Sequence, residues 1–199
     1  MYQQHARRFG GRPGNQAGFT LLEVLVVVAI LGTLAAMSLM VSPAFSRHAR
    51  AEAGTSQVLD IMRSARDTAI SQRRNVEVLF IGLNAIQTRR IEIDQFGNQT
   101  GTTVLRTVEF ENNVQFRLQP GVPNTPDAFG AMAGPLTFTL VGPWMFTSEG
   151  TFVGGTGDIA NGTIFVSIAN QPTSARAITV MGTTALVRPW TWNGRDWVE

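Results

Sequence analysis

The chain has 199 residues, 44% of them hydrophobic and 15% charged, which suits one globular domain with an appended segment and excludes a wholly disordered polymer. It contains no Cys, so disulfides, thiolate nucleophiles and cysteine-based zinc sites are excluded. All sixteen basic residues are Arg, and without Arg7, Arg8 and Arg12, which lie in an acid-free stretch before Gly18, the formal charge of +2 turns slightly negative. That removes most of the case, on charge alone, for nucleic acid as a partner.

After this short basic leader, residues 19–41 read FTLLEVLVVVAILGTLAAMSLMV. As a helix rising about 1.5 Å per residue the segment is about 35 Å long, enough for a hydrocarbon core of roughly 30 Å. Its one charged residue is Glu23. A carboxylate deep in the bilayer costs about 2.5–3.5 kcal/mol, while each Leu, Ile, Val or Phe returns about 0.3–0.6 kcal/mol, and thirteen of them are present. Insertion prevails, but the acid requires a partner, and no cation lies elsewhere in the run. The candidate is an α-amino group made by cutting the chain before Phe19, on a neighbouring subunit. A secretory signal fits less well, because its apolar region is usually about 7–15 residues long. The leader arginines place the N-terminus in the cytoplasm and the remainder outside.

The string Gly18-Phe19-Thr20-Leu21-Leu22-Glu23-Val24, behind a basic leader and ahead of an apolar run, resembles the class III prepilin signal. The resemblance implies that a prepilin peptidase cuts after Gly18, that Phe19 becomes the methylated terminus, and that Glu23 pairs with an adjacent terminus during assembly. It also implies a bacterial inner-membrane location, with a single pass and an external head. Phe19 and Glu23 are one helical turn apart, as that role needs.

Pro43 is expected to kink or interrupt the helix. Beyond it, 44–74 reads as an amphipathic continuation. Val58, Ile61, Met62, Ala65 and Ala69 share one face, and Asp60, Arg63, Asp67 and Ser71 take others. Gly54-Thr55-Ser56 is a candidate bend. From residue 75 the pattern changes to short β-type runs at 76–81, 86–93, 103–110, 114–118, 136–141, 163–169 and 177–181. Turns are expected at Phe96-Gly97-Asn98, Glu149-Gly150 and Gly182, and a long loop over 119–134.

These elements give an α+β fold: a long N-terminal helix, its first half transmembrane, packed through its second half on a C-terminal antiparallel β-sheet head. The expected parts are a cleaved leader (1–18), a membrane and assembly helix (19–42), its amphipathic continuation (43–74) and the head (75–199). Arg63-Ser64-Ala65-Arg66-Asp67-Thr68-Ala69-Ile70, running into Arg74-Asn75-Val76, is similar to the GspH/FimT group of minor pilins. So are Trp144-Met145-Phe146-Thr147-Ser148-Glu149-Gly150, Thr163-Ile164-Phe165-Val166-Ser167-Ile168 and Arg176-Ala177-Ile178-Thr179-Val180. This implies a pilin-like subunit of a type IV pilus or type II secretion pseudopilus, with prepilin peptidase, other pilin subunits and membrane lipid as its partners.

No catalytic constellation, cofactor or metal motif emerges. His5 lies in the leader and His48 beside the expected bilayer surface, a poor setting for a triad histidine. Arg47, His48 and Arg50 are candidates for anionic lipid headgroups. Gly154-Gly155-Thr156-Gly157-Asp158 lacks the Lys-Ser/Thr ending of a phosphate loop and is expected to be a flexible loop. Glu149, Asp158 and Asn161 offer oxygen ligands at a spacing foreign to an EF-hand. A second reading is DNA binding for natural transformation, with Arg188, Arg195 and Trp192 as contact residues that hold phosphates and stack on bases. Asp196, beside Arg195, stands where the DNA-binding form of the family carries a second basic residue, and the tryptophans are more often core.

Overall fold

A computed structural model describes residues 19–111, 113–123, 126–127 and 134–199, without the side chains of 37–47. The expected leader therefore lies outside the described residues. The chain divides into two compact units, Met1–Ser42 and Pro43–Glu199.

One helix, α1 (Leu21–Gln72), is continuous through Pro43 and Gly54, so neither residue interrupts it. In the first unit every described side chain from 19 to 36 is exposed. In the second unit the expected stripe is buried: Val58, Ile61, Met62 and Ala69 are fully inaccessible and Ala65 nearly so. Asp60, Arg63, Asp67 and Ser71 are exposed. Gly54 marks a close approach instead of a bend, since a Cβ there would stand 2.7 Å from Cγ1 of Val114. The helix closes in a Schellman pattern, with the Arg74 N–H donating to the Ala69 carbonyl and the Arg73 N–H to that of Ile70. Arg73 takes the left-handed position (φ +52°) that Gly usually fills.

The strands are all antiparallel and form two sheets where the sequence suggested one. The first comprises β1 (Val76–Ile81), β2 (Ala85–Ile93), β3 (Gln99–Glu109), β6 (Trp144–Phe146) and β7 (Phe152–Val153), in the order β3-β2-β1-β6-β7. The second runs β11-β10-β9-β8-β4, from β4 (Val114–Phe116), β8 (Gly162–Ile168), β9 (Arg176–Met181), β10 (Leu186–Trp192) and β11 (Trp197–Val198). Here β5 (Leu136–Phe138) pairs with the first half of β8 and β4 with the second half. Of these, β7, β10 and β11 were not expected from sequence, and β6 lies in a string marked only by its resemblance to the minor pilins. Pro189 makes β10 read as a non-strand, and two-residue strands carry no period to read.

One core joins the helix to both sheets: Val58, Ile61 and Met62 cluster with Val76, Val78 and Ile86 of the first sheet and with Ile164, Val166, Ile178 and Val180 of the second. Two sheets form because each offers an apolar inner face to the same helical stripe. Aromatic rings fill the seam, with Phe138 centred 4.5 Å from Trp144 and 5.8 Å from Phe152. The alternation in 136–140 survives as Leu136, Phe138 and Leu140 packing on the core, while Thr139 faces solvent. Thr137 is buried as well, its hydroxyl donating to the Gly134 carbonyl at 3.3 Å.

All seven residues of β8 are buried, because its outer face is also covered. The chain after β4 crosses that face: the buried Gln119 donates to Ser167 Oγ at 3.0 Å and to the Ile168 carbonyl at 2.6 Å, and Asp127 accepts the Thr179 hydroxyl at 2.5 Å. A small second core of Val122, Ala175 and Trp192, with Trp197 packed on it, lies apart from the main one. On the main-core side Gly162 makes room for Phe138, since a Cβ there would stand 2.7 Å from Cγ of its ring.

The β2–β3 hairpin turns at Asp94, as expected around Gly97 (φ +86°). The Asp94 carboxylate accepts the N–H groups of Phe96 at 2.8 Å and Asn98 at 2.9 Å and the Asn98 side-chain amide at 3.2 Å. These bonds, the Asn98 N–H foremost, hold its pKa below the ordinary 3.8. Glu92 is likewise lowered, first by the Thr103 hydroxyl at 2.7 Å and then by Arg90.

Two measurements test this reading. Gly162→Ala lowers unfolding stability by about 1–3 kcal/mol through overpacking against Phe138, whereas Gly101→Ala, with nothing near its site, changes it by less than about 0.5 kcal/mol. An equal effect of both on the denaturant midpoint contradicts the packing. Because the folded pKa of Asp94 is depressed, its contribution is complete above the unfolded value near 3.8 and is lost as pH falls through the lower folded value. Amide exchange at Phe96 and Asn98 therefore accelerates below about pH 4, beyond its intrinsic trend. Asp94→Asn removes the dependence.

Candidate functional site

The N-terminal segment combines a helix start, an acid and an uncovered apolar surface. Thr20 is the N-cap: its Oγ1 accepts the N–H of Glu23 at 3.2 Å, and its carbonyl accepts that of Val24 at 3.2 Å. Glu23 is thereby fixed as the third helical residue, and Thr20-Leu21-Leu22-Glu23 has the spacing of a capping box. Its carboxylate sits in the first turn, where the unpaired N–H groups and the helix dipole favour an anion. The Thr20 signal was present in the sequence as Thr-x-x-Glu ahead of an apolar run, but it was not singled out there.

Phe19 is 82% exposed and Leu21 84% exposed, and Phe19, Val24, Val27 and Val28 surround Glu23 on the helix surface. Gly18 lies outside the described residues. Among the described residues no helix is long and apolar enough to cross a membrane.

The other candidate residues are scattered. Arg188 is half-buried in β10, and Arg195 is exposed in the β10–β11 turn, its Nε 3.9 Å from Asp196. Trp192 is 8% exposed and meets Trp197 edge-on at 5.5 Å, a position that does not offer its ring to a base. Trp190 donates its indole N–H to Thr179 Oγ1 at 3.1 Å. His48 and Arg50 are exposed on α1, and the Arg47 side chain lies outside the described residues.

A Cβ on Gly154 would stand 2.7 Å from Leu140 Cβ, and one on Gly155 would stand 2.9 Å from the Gly142 carbonyl oxygen, so these two glycines serve close backbone approach at the start of an exposed loop. Asn161 Oδ1 accepts the Gly182 N–H at 2.7 Å. The arginine pair in β2 divides between faces, Arg89 bonding Gln87 and Arg90 bonding Glu92. Sequence reasoning passed over Arg176, which is 4% exposed; its Nε lies 3.4 Å from Glu52 Oε2, and it donates to the carbonyls of Thr173 and Ala175. This bond ties α1 to the second sheet.

Residues 13–39 match the family model described as the prokaryotic N-terminal methylation motif, and the chain therefore carries that motif at its N-terminus. In fold it is similar to EpsH, the minor pseudopilin of the type 2 secretion system of Vibrio cholerae, at 11% identity and a TM-score of 0.45, over 71% of this chain and 97% of that one. It is also similar to the type IV minor pilin FimU of Pseudomonas aeruginosa. Two crystal forms of FimU align at 11% identity, with a TM-score of 0.44 over 74% of this chain and 92% of that one, and 0.41 over 69% and 90%.

Proposed function

We propose that the chain is a minor pilin or pseudopilin whose role is structural: it is cleaved after Gly18, methylated at Phe19, anchored in the inner membrane through 19–41 and assembled into a type IV pilus or type II secretion pseudopilus. The observation that carries this reading is the methylation motif over 13–39, within which Gly18, Phe19 and Glu23 all fall.

The geometry at the helix start supports it. Cleavage before Phe19 leaves an α-amino group next to the Thr20 cap, one turn from Glu23. The amine and carboxylate are then complementary charges at the end of a helix whose described apolar side chains, from 19 to 36, are all exposed. In lipid, where neither charge is well solvated, pairing with the opposite group of an adjacent subunit is favoured over leaving both bare. The apolar side chains from Phe19 to Leu34 supply the surface that lipid or neighbouring helices cover.

Mass spectrometry of the membrane-extracted protein should find a methylated Phe19 as its first residue. An intact Met1, or a start downstream of Ser46, overturns the reading. Glu23→Ala should leave the protein in the membrane fraction and lower its incorporation into sheared filaments by about tenfold or more, the scale of a lost charge pair in a low-dielectric setting. Unchanged incorporation contradicts the pairing role of Glu23 without touching the processing step.

A further inference from the structure

On the solvent side of α1, Arg63, Arg66 and Asp67 meet Ala185, Leu186 and Val187 of the β9–β10 turn and the start of β10 around a cavity of about 240 Å³. The two guanidinium groups are without ion-pair partners. The ion pairs among the described residues are Arg90–Glu92, Arg176–Glu52 and Arg195–Asp196, and even Asp67, on the wall of the same cavity, pairs with neither arginine. Arg66 Nε is buried, with no hydrogen-bond acceptor among the described residues. A buried guanidinium N–H that has given up water and gained nothing is a net cost to the fold, and native structures keep few of them. Ala185 adds a second cost, being 2% exposed and held in the left-handed region (φ +49°) that disfavours a Cβ.

We infer that this cavity receives a carboxylate, delivered by an acidic side chain of a neighbouring protein subunit. The charge balance selects that ligand. Two guanidinium groups and one carboxylate leave a single net positive charge, which a side-chain carboxylate neutralises and a phosphate dianion overfills. Arg suits the task because its planar fork offers parallel N–H donors to the two oxygens of a carboxylate. Leu186, 42% exposed, gives the methylene stem of an incoming Glu an apolar wall. An arginine whose buried Nε is unmet, beside an exposed aliphatic residue, is also a composition favoured at protein interfaces. The inference goes beyond the proposed function and depends on it only for which protein brings the acid. The cavity lies wholly within the second unit, so its test is independent of processing at Gly18.

The test is a titration of the full chain in detergent, read from the Arg66 Nε–Hε resonance by NMR. The probes are the blocked peptide acetyl-Ala-Glu-Ala-amide, its Gln counterpart and inorganic phosphate. The Glu peptide should shift the resonance saturably, the Gln peptide should leave it in place, and phosphate should shift it more weakly. Arg63→Gln, a change at an exposed position, should raise the midpoint for the Glu peptide about tenfold or more. No saturable shift with the Glu peptide, an equal shift with the Gln peptide, or an unchanged midpoint in Arg63→Gln would overturn the assignment. A stronger response to phosphate would also overturn it, by showing a site for free anions. The wild-type arms need no variant to fold.

Discussion

The second unit depends on one constraint: the stripe of Val58, Ile61, Met62, Ala65 and Ala69 on α1 is buried against two sheets at once. Neither sheet closes on itself. The first ends in the long exposed β3 and the second in the short β4 and β11, so each needs the helix to remove its inner face from water. Small residues make the contact close. Ala65 and Ala69 keep the sheets near the helix axis, and Gly54 admits Val114 at a separation where a Cβ would press on its Cγ1 methyl. Arg176 adds a polar tie from the second sheet to Glu52, and its guanidinium is further satisfied by two backbone carbonyls, so burying the charge leaves few donors unmet.

The opposite face of α1 follows a different rule. Where Arg176 on the buried side is met by Glu52 and two carbonyls, Arg63 and the half-buried Arg66 have no acid as partner among the described residues, although Asp60 and Asp67 stand within one turn of Arg63 on the same helix. Pairs at these spacings are worth only about 0.2–0.5 kcal/mol on an isolated helix. The side chains therefore take the conformations that the neighbouring β9–β10 turn allows, not those that a local ion pair would choose.

Much of this architecture was legible in the sequence because it rests on period. The helical stripe and the runs at 76–81, 163–169 and 177–181 show their spacing directly, and the structure places strands there. What escaped is fixed by tertiary contact. β10 contains Pro189 opposite Ile178 and still forms, because β9 and β11 flank it. The glycines at 54, 154 and 155 signalled bends and flexibility, yet each answers a specific neighbour that only the folded chain supplies. Trp192 stood near arginines in the sequence and so suggested a binding surface; in the fold it forms a satellite core with Val122 and Ala175, on which Trp197 packs. At the N-terminus the reverse holds. There the methylation motif over 13–39 was legible because it is written in linear spacing.

That spacing is coupled to the cap. Thr20 starts the helix directly after Phe19, so in the proposed mature protein only one residue separates the new amine from the helical frame that positions Glu23. Each additional extended residue would carry the amine about 3.3 Å further away, which is comparable to the whole reach of a charge-assisted hydrogen bond. The same cap fixes Glu23 in the first helical turn. In the proposed mature protein the new terminus, the capping threonine and the acid would form one geometric unit, so that a change in any one would alter what the other two can do.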